Sequence, residues 1–263
     1  WMNTADDNKF IFSYQEWLKN PKQVIEWKDF WRYYLNWTWS YVEYLPEEMK
    51  KNKNTARPWS EDRFETSKVI LYRFIDKNHR LCSVFDNNQY YTLGSTYVIQ
   101  WEKNRLKMLS TLLNSTLIWF YISKVFSGSK ITKNELEKLP LNFSEQLPFI
   151  EKADFMLDKN KELQEKVNRF LKRLNSSFEI DKLSKKLENF YDFEFSEFVK
   201  ELKKKKVELS LKDQDEWEEY FDEYKKEILE LKSQIDTCDK EIDEMVFELY
   251  GLSEEEREVV LGV

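Results

Sequence analysis

The chain has 263 residues, 41% hydrophobic and 16% aromatic, which is enough for two domains with sizeable cores. Its charged fraction of 35% points to long solvated helices, and only 4 glycines and 5 prolines argue against an all-β sandwich or disordered linkers. The net charge of −7 hides a division: residues 51–140 carry 15 basic and 8 acidic side chains, and residues 141–263 carry 21 and 33. A basic middle beside an acidic helical end fits a polyanion-binding module with a spacer, though short regions also fluctuate in charge.

In chain order, Asn20-Pro21 is a helix start, with Asn as N-cap and Pro at the first helical position, so a helix is expected from Lys22 to Leu45. Its apolar side chains, Val24, Ile25, Trp27, Phe30 and Trp31 among them, cover nearly every face, so the segment is expected either buried in its own domain or covering a surface of an N-terminal part of a longer chain, not as a simple surface helix. Aromatics interleaved with Lys and Arg also suit stacking on bases, but the accompanying aliphatics favour core packing. Strands are expected at Lys68–Phe74, Arg80–Phe85, Gln89–Leu93 and Ser95–Gln100, forming a meander with turns at Asp76–His79 and Asp86–Asn88. One helix follows from about Asn104 to Phe126, ended by Ser127-Gly128-Ser129.

The remainder reads as helix. Ile150, Leu163, Val167, Phe170 and Leu174 mark an amphipathic stretch over Glu145–Leu174, with shorter helices near Leu183–Phe190 and Phe195–Lys206. From Trp217 through Phe221, Tyr224, Ile228, Leu231, Ile235, Cys238, Ile242 and Met245 to Leu249, apolar residues alternate steps of four and three, a coiled-coil-like seam. That seam must be covered, by the helix near residues 150–174 or by another chain. Gly251 supplies a C-cap, and Ser253 with Glu256 forms a capping box for a last short helix. The expected class is α+β: a small mixed-sheet domain with packed helices, then an all-α helical-hairpin or coiled-coil region. The expected limits are a Trp-rich helical lead-in over 1–50, an α+β domain over 51–143 and a helical spacer over 144–263.

The inventory for chemistry is thin. The single histidine, His79, falls in a turn, and there is no Gly-rich phosphate loop and no HExxH. Cys82 and Cys238 lack metal-ligand spacing and fit a reducing cytoplasm, with no disulfide expected. The most apolar run, Leu117–Val125, is too short to span a membrane and carries Lys124. No signal peptide is visible, and the opening Trp1-Met2 suggests a segment of a longer chain. A carboxylate nuclease remains an alternative only because its Asp, Glu and Lys need not be adjacent.

Several motifs carry a resemblance. Lys68-Val69-Ile70-Leu71-Tyr72-Arg73 and Tyr90-Tyr91-Thr92-Leu93-Gly94-Ser95-Thr96-Tyr97-Val98-Ile99 resemble the TaqI-like C-terminal specificity domain of N6-adenine DNA methyltransferases and fused type IIG restriction–modification enzymes. Leu112-Leu113-Asn114-Ser115 is similar to the Leu-Asn-Ser core of the family's helix, and Lys138-Leu139-Pro140-Leu141 to the motif that closes the domain. The helix with Gln146, Ile150 and Asp154 is similar to the spacer of type I specificity subunits, and Ile242–Leu252 to the ending of type IIG-like enzymes. The likeness spans roughly residues 60–155 and 195–260. The methyltransferase Asn/Asp-Pro-Pro-Tyr/Phe motif and its methyl-donor loop are not in this sequence.

The resemblance implies a division of labour. A catalytic part, N-terminal on the same polypeptide, would act on a flipped adenine, while this part reads double-stranded DNA and does no chemistry. No cofactor is expected here. S-adenosylmethionine, and Mg if the enzyme also cleaves, would belong to the longer protein. Forked or paired donors and acceptors suit base edges, which singles out Lys77, Asn78, Arg80, Asn87, Asn88 and Gln89, with Arg73 at the end of the first strand. Ser127, Ser129 and Lys130 lie in the loop after the middle helix, and Lys103, Arg105 and Lys107 suit phosphates. Lys203–Lys206 fits a solvated helix end better than a phosphate contact. No membrane partner is expected. Self-association through the heptad, as an assembly module without DNA binding, is the rival reading.

Overall fold

The segment opened by Asn20-Pro21 is strand, not helix. In the computed structural model, which describes residues 2–13, 16–53, 55–75, 80–144, 147–180 and 182–262, it forms four short strands. The elements run α1 (Asp7–Phe10), β1 (Ile11–Ser13), β2 (Pro21–Ile25), β3 (Phe30–Trp31), β4 (Tyr34–Leu35), β5 (Ser40–Glu43) and α2 (Pro46–Asn52). Pro21 begins β2, a position where a missing N–H is tolerated. Asn20 takes φ +45° and its amide donates to the Tyr44 carbonyl at 3.1 Å, tying the strand's entry to the end of β5. Among the apolar residues read as a buried helix, Val24, Ile25 and Val42 are buried strand residues. Val24, Val42 and Tyr44 join Met2, Phe10, Met49, Phe64 and Tyr91 in one core. Core packing does not extend to Trp17, Trp27, Trp31 and Trp39, each more than half exposed.

Next come β6 (Lys68–Tyr72), β7 (Cys82–Asp86), β8 (Tyr91–Thr92) and β9 (Thr96–Ile99). They do not form the expected meander. The three-stranded sheet has the order β7-β6-β9, while β8 leaves it to run parallel to β2, Val24 beside Tyr91, in a sheet ordered β1-β5-β2-β8. A two-residue strand pairs where neighbours have open groups, and periodicity does not report that. The turn at Asp76–His79 lies outside the described residues.

The expected single middle helix is two, α3 (Lys103–Leu113) and α4 (Thr116–Val125). Asn114 closes the first, and the Ser115 hydroxyl caps the second by accepting the Ile118 N–H. Leu106, Leu109, Leu113, Ile118 and Ile122 pack on Val69, Leu71 and Phe85 of the three-stranded sheet. After α5 (Lys133–Leu136) come α6 (Leu147–Phe178), α7 (Lys185–Glu188), α8 (Phe195–Lys204), α9 (Leu211–Tyr250) and α10 (Glu254–Leu261). The class is therefore mixed α+β followed by long helices, as the sequence indicates.

Two compact units result, Trp1–Leu157 with Asp239–Val263, and Asp158–Cys238, the divisions falling within α6 and α9. In the second unit the heptad residues Phe221 and Ile228 are buried with Val167, Phe170, Leu174, Leu187, Phe198 and Leu202. The seam is thus covered within the chain there. Gly251, at φ +68°, ends α9, and the Ser253–Glu256 capping box opens α10. Among the described residues no helix is long and apolar enough to cross a membrane, and Cys82 and Cys238 form no disulfide.

Candidate nucleic-acid interface

The turn after β7 rests on a buried charge pair. Lys68 and Asp86 are cross-strand partners, both fully buried, with Nζ 2.5 Å from the carboxylate. Nζ also donates to the Phe64 carbonyl at 2.6 Å. Burial pushes the Lys68 ammonium below its ordinary value, and the Asp86 charge opposes that shift. The Asp86 carboxylate accepts the N–H groups of Asn88 (2.8 Å) and Tyr90 (3.2 Å), an Asx turn. Asn87, Asn88 and Gln89 are thereby held outward and exposed, Gln89 at φ +61°. Asn87 accepts from the Ser67 hydroxyl at 2.6 Å, and the Gln89 amide donates to the Glu65 carbonyl at 3.2 Å.

The other end of the β6–β7 pair carries the cations. Ile75 N–H donates to the Ser129 carbonyl (3.0 Å), Ile131 N–H to the Arg73 carbonyl (2.9 Å), and Phe74 bridges Lys130. These bonds bring Arg73 beside the exposed loop of Ser127, Ser129 and Lys130. The Arg73 guanidinium lies 5.0 Å over the Tyr97 ring and donates to the Gly94 carbonyl, and exposed Arg80 lies 4.8 Å over Trp119. Phe74, 45% exposed, stands among these charges. Lys77 and Asn78 lie outside the described residues.

A third group sits at the start of α3. The Glu102 carboxylate caps the helix by accepting from Asn104 and Arg105 N–H. Lys103 is exposed, and the Arg105 guanidinium stacks 4.7 Å over Trp101. Lys107 differs from the other two: its amine pairs with Asp154 at 2.6 Å and its side chain is only 12% exposed. The candidates therefore divide between the two ends of a five-residue strand pair, with the α3 group separate.

Sequence reasoning missed the interactions that hold these elements. Asn114 accepts the Ser83 N–H (3.0 Å) and donates to the Ser83 carbonyl (2.8 Å), covering the outer edge of β7 as a neighbouring strand would. Its only visible signal was the Leu-Asn-Ser motif. Arg32 forks onto Asp239 at 2.6 and 2.7 Å, donates to the Asn114 carbonyl and stacks 4.5 Å over Trp119. Burial opposes its charge, but the bond to Asp239 prevails and holds the guanidinium above its ordinary value. Asp243 accepts the Thr116 N–H (2.8 Å) and hydroxyl (2.6 Å), and burial pushes its carboxyl up. Among the described residues, no cluster of three or more His, Cys, Asp or Glu is placed to hold a metal ion.

The exposed turns of this small α+β unit present both amides and cations. Residues 22–141 match the family model of the TaqI-like C-terminal specificity domain, the family its motifs resemble. The match begins within β2, so β3–β5 and all of β2 but Pro21 fall inside it, although sequence motifs traced the likeness only from about residue 60. Residues 142–246 match a domain of unknown function (DUF8810), which assigns no activity. No curated protein matched the chain. The segment 22–141 is thus similar to a restriction–modification specificity domain, a kind that is typically non-catalytic.

Proposed function

We propose that this chain recognises a sequence in double-stranded DNA, as the specificity part of a type IIG-like restriction–modification enzyme or adenine-specific DNA methyltransferase. The family match over residues 22–141 carries this reading. The geometry supports it. Asn87, Asn88 and Gln89 offer amides suited to adenine edges, and Arg73, Arg80 and Lys130 offer cations for guanine or phosphate. Methyl transfer, with S-adenosylmethionine, and any Mg-dependent cleavage belong to a catalytic part of the same polypeptide that would hold a flipped adenine.

The assembly reading draws less support, because the heptad residues Phe221 and Ile228 are already buried within the second unit. Duplex binding titrated with salt tests the proposal, using random-sequence DNA against bulk competitor. An enriched motif is expected, with log K falling about 0.9 per log unit of salt for each phosphate neutralised. Absence of binding at low salt by the folded chain would overturn it.

A further inference from the structure

The three-stranded sheet has two edges that are finished differently. Arg73 N–H donates to the Ser95 carbonyl at 2.9 Å, which sets the alternation along β6 and β9. Leu71 and Tyr97 form a bonded pair, whereas at the Ile70–Val98 pair the backbone groups of Ile70 turn toward β7 and those of Val98 turn out of the sheet. The same alternation turns Ser83 outward on β7, where Asn114 satisfies both its groups. Val98 on β9 has no such cover: among the described residues no hydrogen bond reaches its N–H or carbonyl.

That edge opens on a cleft of about 640 Å³, within the range of ligand sites. Tyr97, Val98, Ile99, Gln100 and Trp101 all line it. Successive strand side chains point to opposite faces, so consecutive residues meet one cavity only when it runs along the strand's edge. Trp59, Leu136, Leu139 and Phe143 make the remaining lining mostly apolar. Cations border it: Arg63, its guanidinium 4.5 Å over Trp59, and Lys133 line the cleft, and the Arg105 guanidinium lies 4.7 Å over the lining residue Trp101. The acidic lining residue, Glu137, is paired with Lys133 at 3.5 Å.

We propose that this cleft docks an extended peptide, which adds to β9 as a fourth strand, places apolar side chains in the cleft and sets Asp or Glu against Arg63 and Arg105. Strand addition supplies the partners that Val98 lacks, and the aromatic walls select alternate side chains. A nucleobase would use the aromatic walls but not backbone groups at strand spacing, so a peptide fits the observations better. The inference goes beyond DNA recognition and does not depend on it.

The probe is a displayed library of random linear peptides panned on the whole chain. Enriched sequences are expected to alternate apolar residues with Asp or Glu. N-methylation of the best peptide should weaken binding about tenfold at every second position only, the equivalent of one lost bond leaving a group unpaired. Val98→Pro removes the outward N–H at an edge position where proline is tolerated, and should also weaken binding about tenfold. Val98→Ile keeps that N–H and an apolar side chain, and should bind more tightly than Val98→Pro. The N-methyl scan does not depend on how any variant folds. No enriched peptide, an N-methyl scan without a period of two, or a labelled single-stranded oligonucleotide binding the cleft in place of peptide would each overturn the proposal.

Discussion

Replacing Lys68 by Met tests the foundation of the recognition turn. The substitution fills similar volume but leaves the Asp86 carboxylate fully buried, with only the Asn88 and Tyr90 N–H groups to hold its charge. Breaking one side of a buried ion pair costs about 3–5 kcal/mol, a large share of the about 5–15 kcal/mol that holds a domain together. The folding equilibrium should therefore fall by between about a hundredfold and several thousandfold, at about 1.4 kcal/mol per decade. Urea unfolding followed by tryptophan fluorescence reads the correct unit, because every tryptophan except Trp217 lies in residues 1–157. Adding Asp86→Asn removes the stranded charge while keeping an acceptor for Asn88, so the double variant should recover much of the loss. A cost below about 1 kcal/mol, the scale of an exposed pair, would refute the reasoning. So would a double variant no more stable than Lys68→Met alone.

Arg32→Lys cannot fork onto Asp239 and also reach the Asn114 carbonyl, so it should cost about 2 kcal/mol, on the scale of charged hydrogen bonds, in the same unfolding assay. Asn114→Asp keeps the acceptor for Ser83 N–H but sets an oxygen against the Ser83 carbonyl. It should cost about 2 kcal/mol or more and speed hydrogen exchange along β7. Asp243 has its carboxyl raised by burial, so its contribution to stability is full below the unfolded pKa and is lost as pH rises through the folded one. Asp243→Asn keeps an acceptor for the Thr116 N–H and sets its amide to donate to the Thr116 hydroxyl oxygen, and its stability relative to the parent should improve from about pH 4 to pH 7 in paired urea titrations. Lys130→Ala should weaken all duplexes alike and lower the salt slope by about 0.9, whereas Asn88→Ala should relax one position of an enriched motif.

Much of the helical half was legible, because its signals are local. Gly251 ends α9, Ser253 and Glu256 cap α10, and the heptad from Trp217 to Leu249 lies on a helix as its spacing requires. Strands β6 and β7 were legible for the same reason, since β-branched and aromatic runs bounded by turn formers report on themselves. The Asn87–Gln89 turn was visible as residue types, but the pair beneath it was not: nothing local marks Lys68 as fully buried, and only the register that sets it against Asp86 makes burial tolerable.

Tertiary structure alone decided the rest, wherever a distant partner outweighed a local preference. Asn20-Pro21 is as good a helix start as a strand start. The choice fell to β5, which pairs with Pro21–Gln23, and to β8, which pairs with Val24 and Ile25. The middle helix breaks at Asn114 because its amide is committed to Ser83, 31 residues away. Arg32, inside a Trp-rich run that reads as core, is held by Asp239, 207 residues along the chain. Composition and periodicity fixed which segments could be helix or strand; the pairing of backbone and charge across sequence distance fixed where β2 lies, how the sheets divide and which edge stays open.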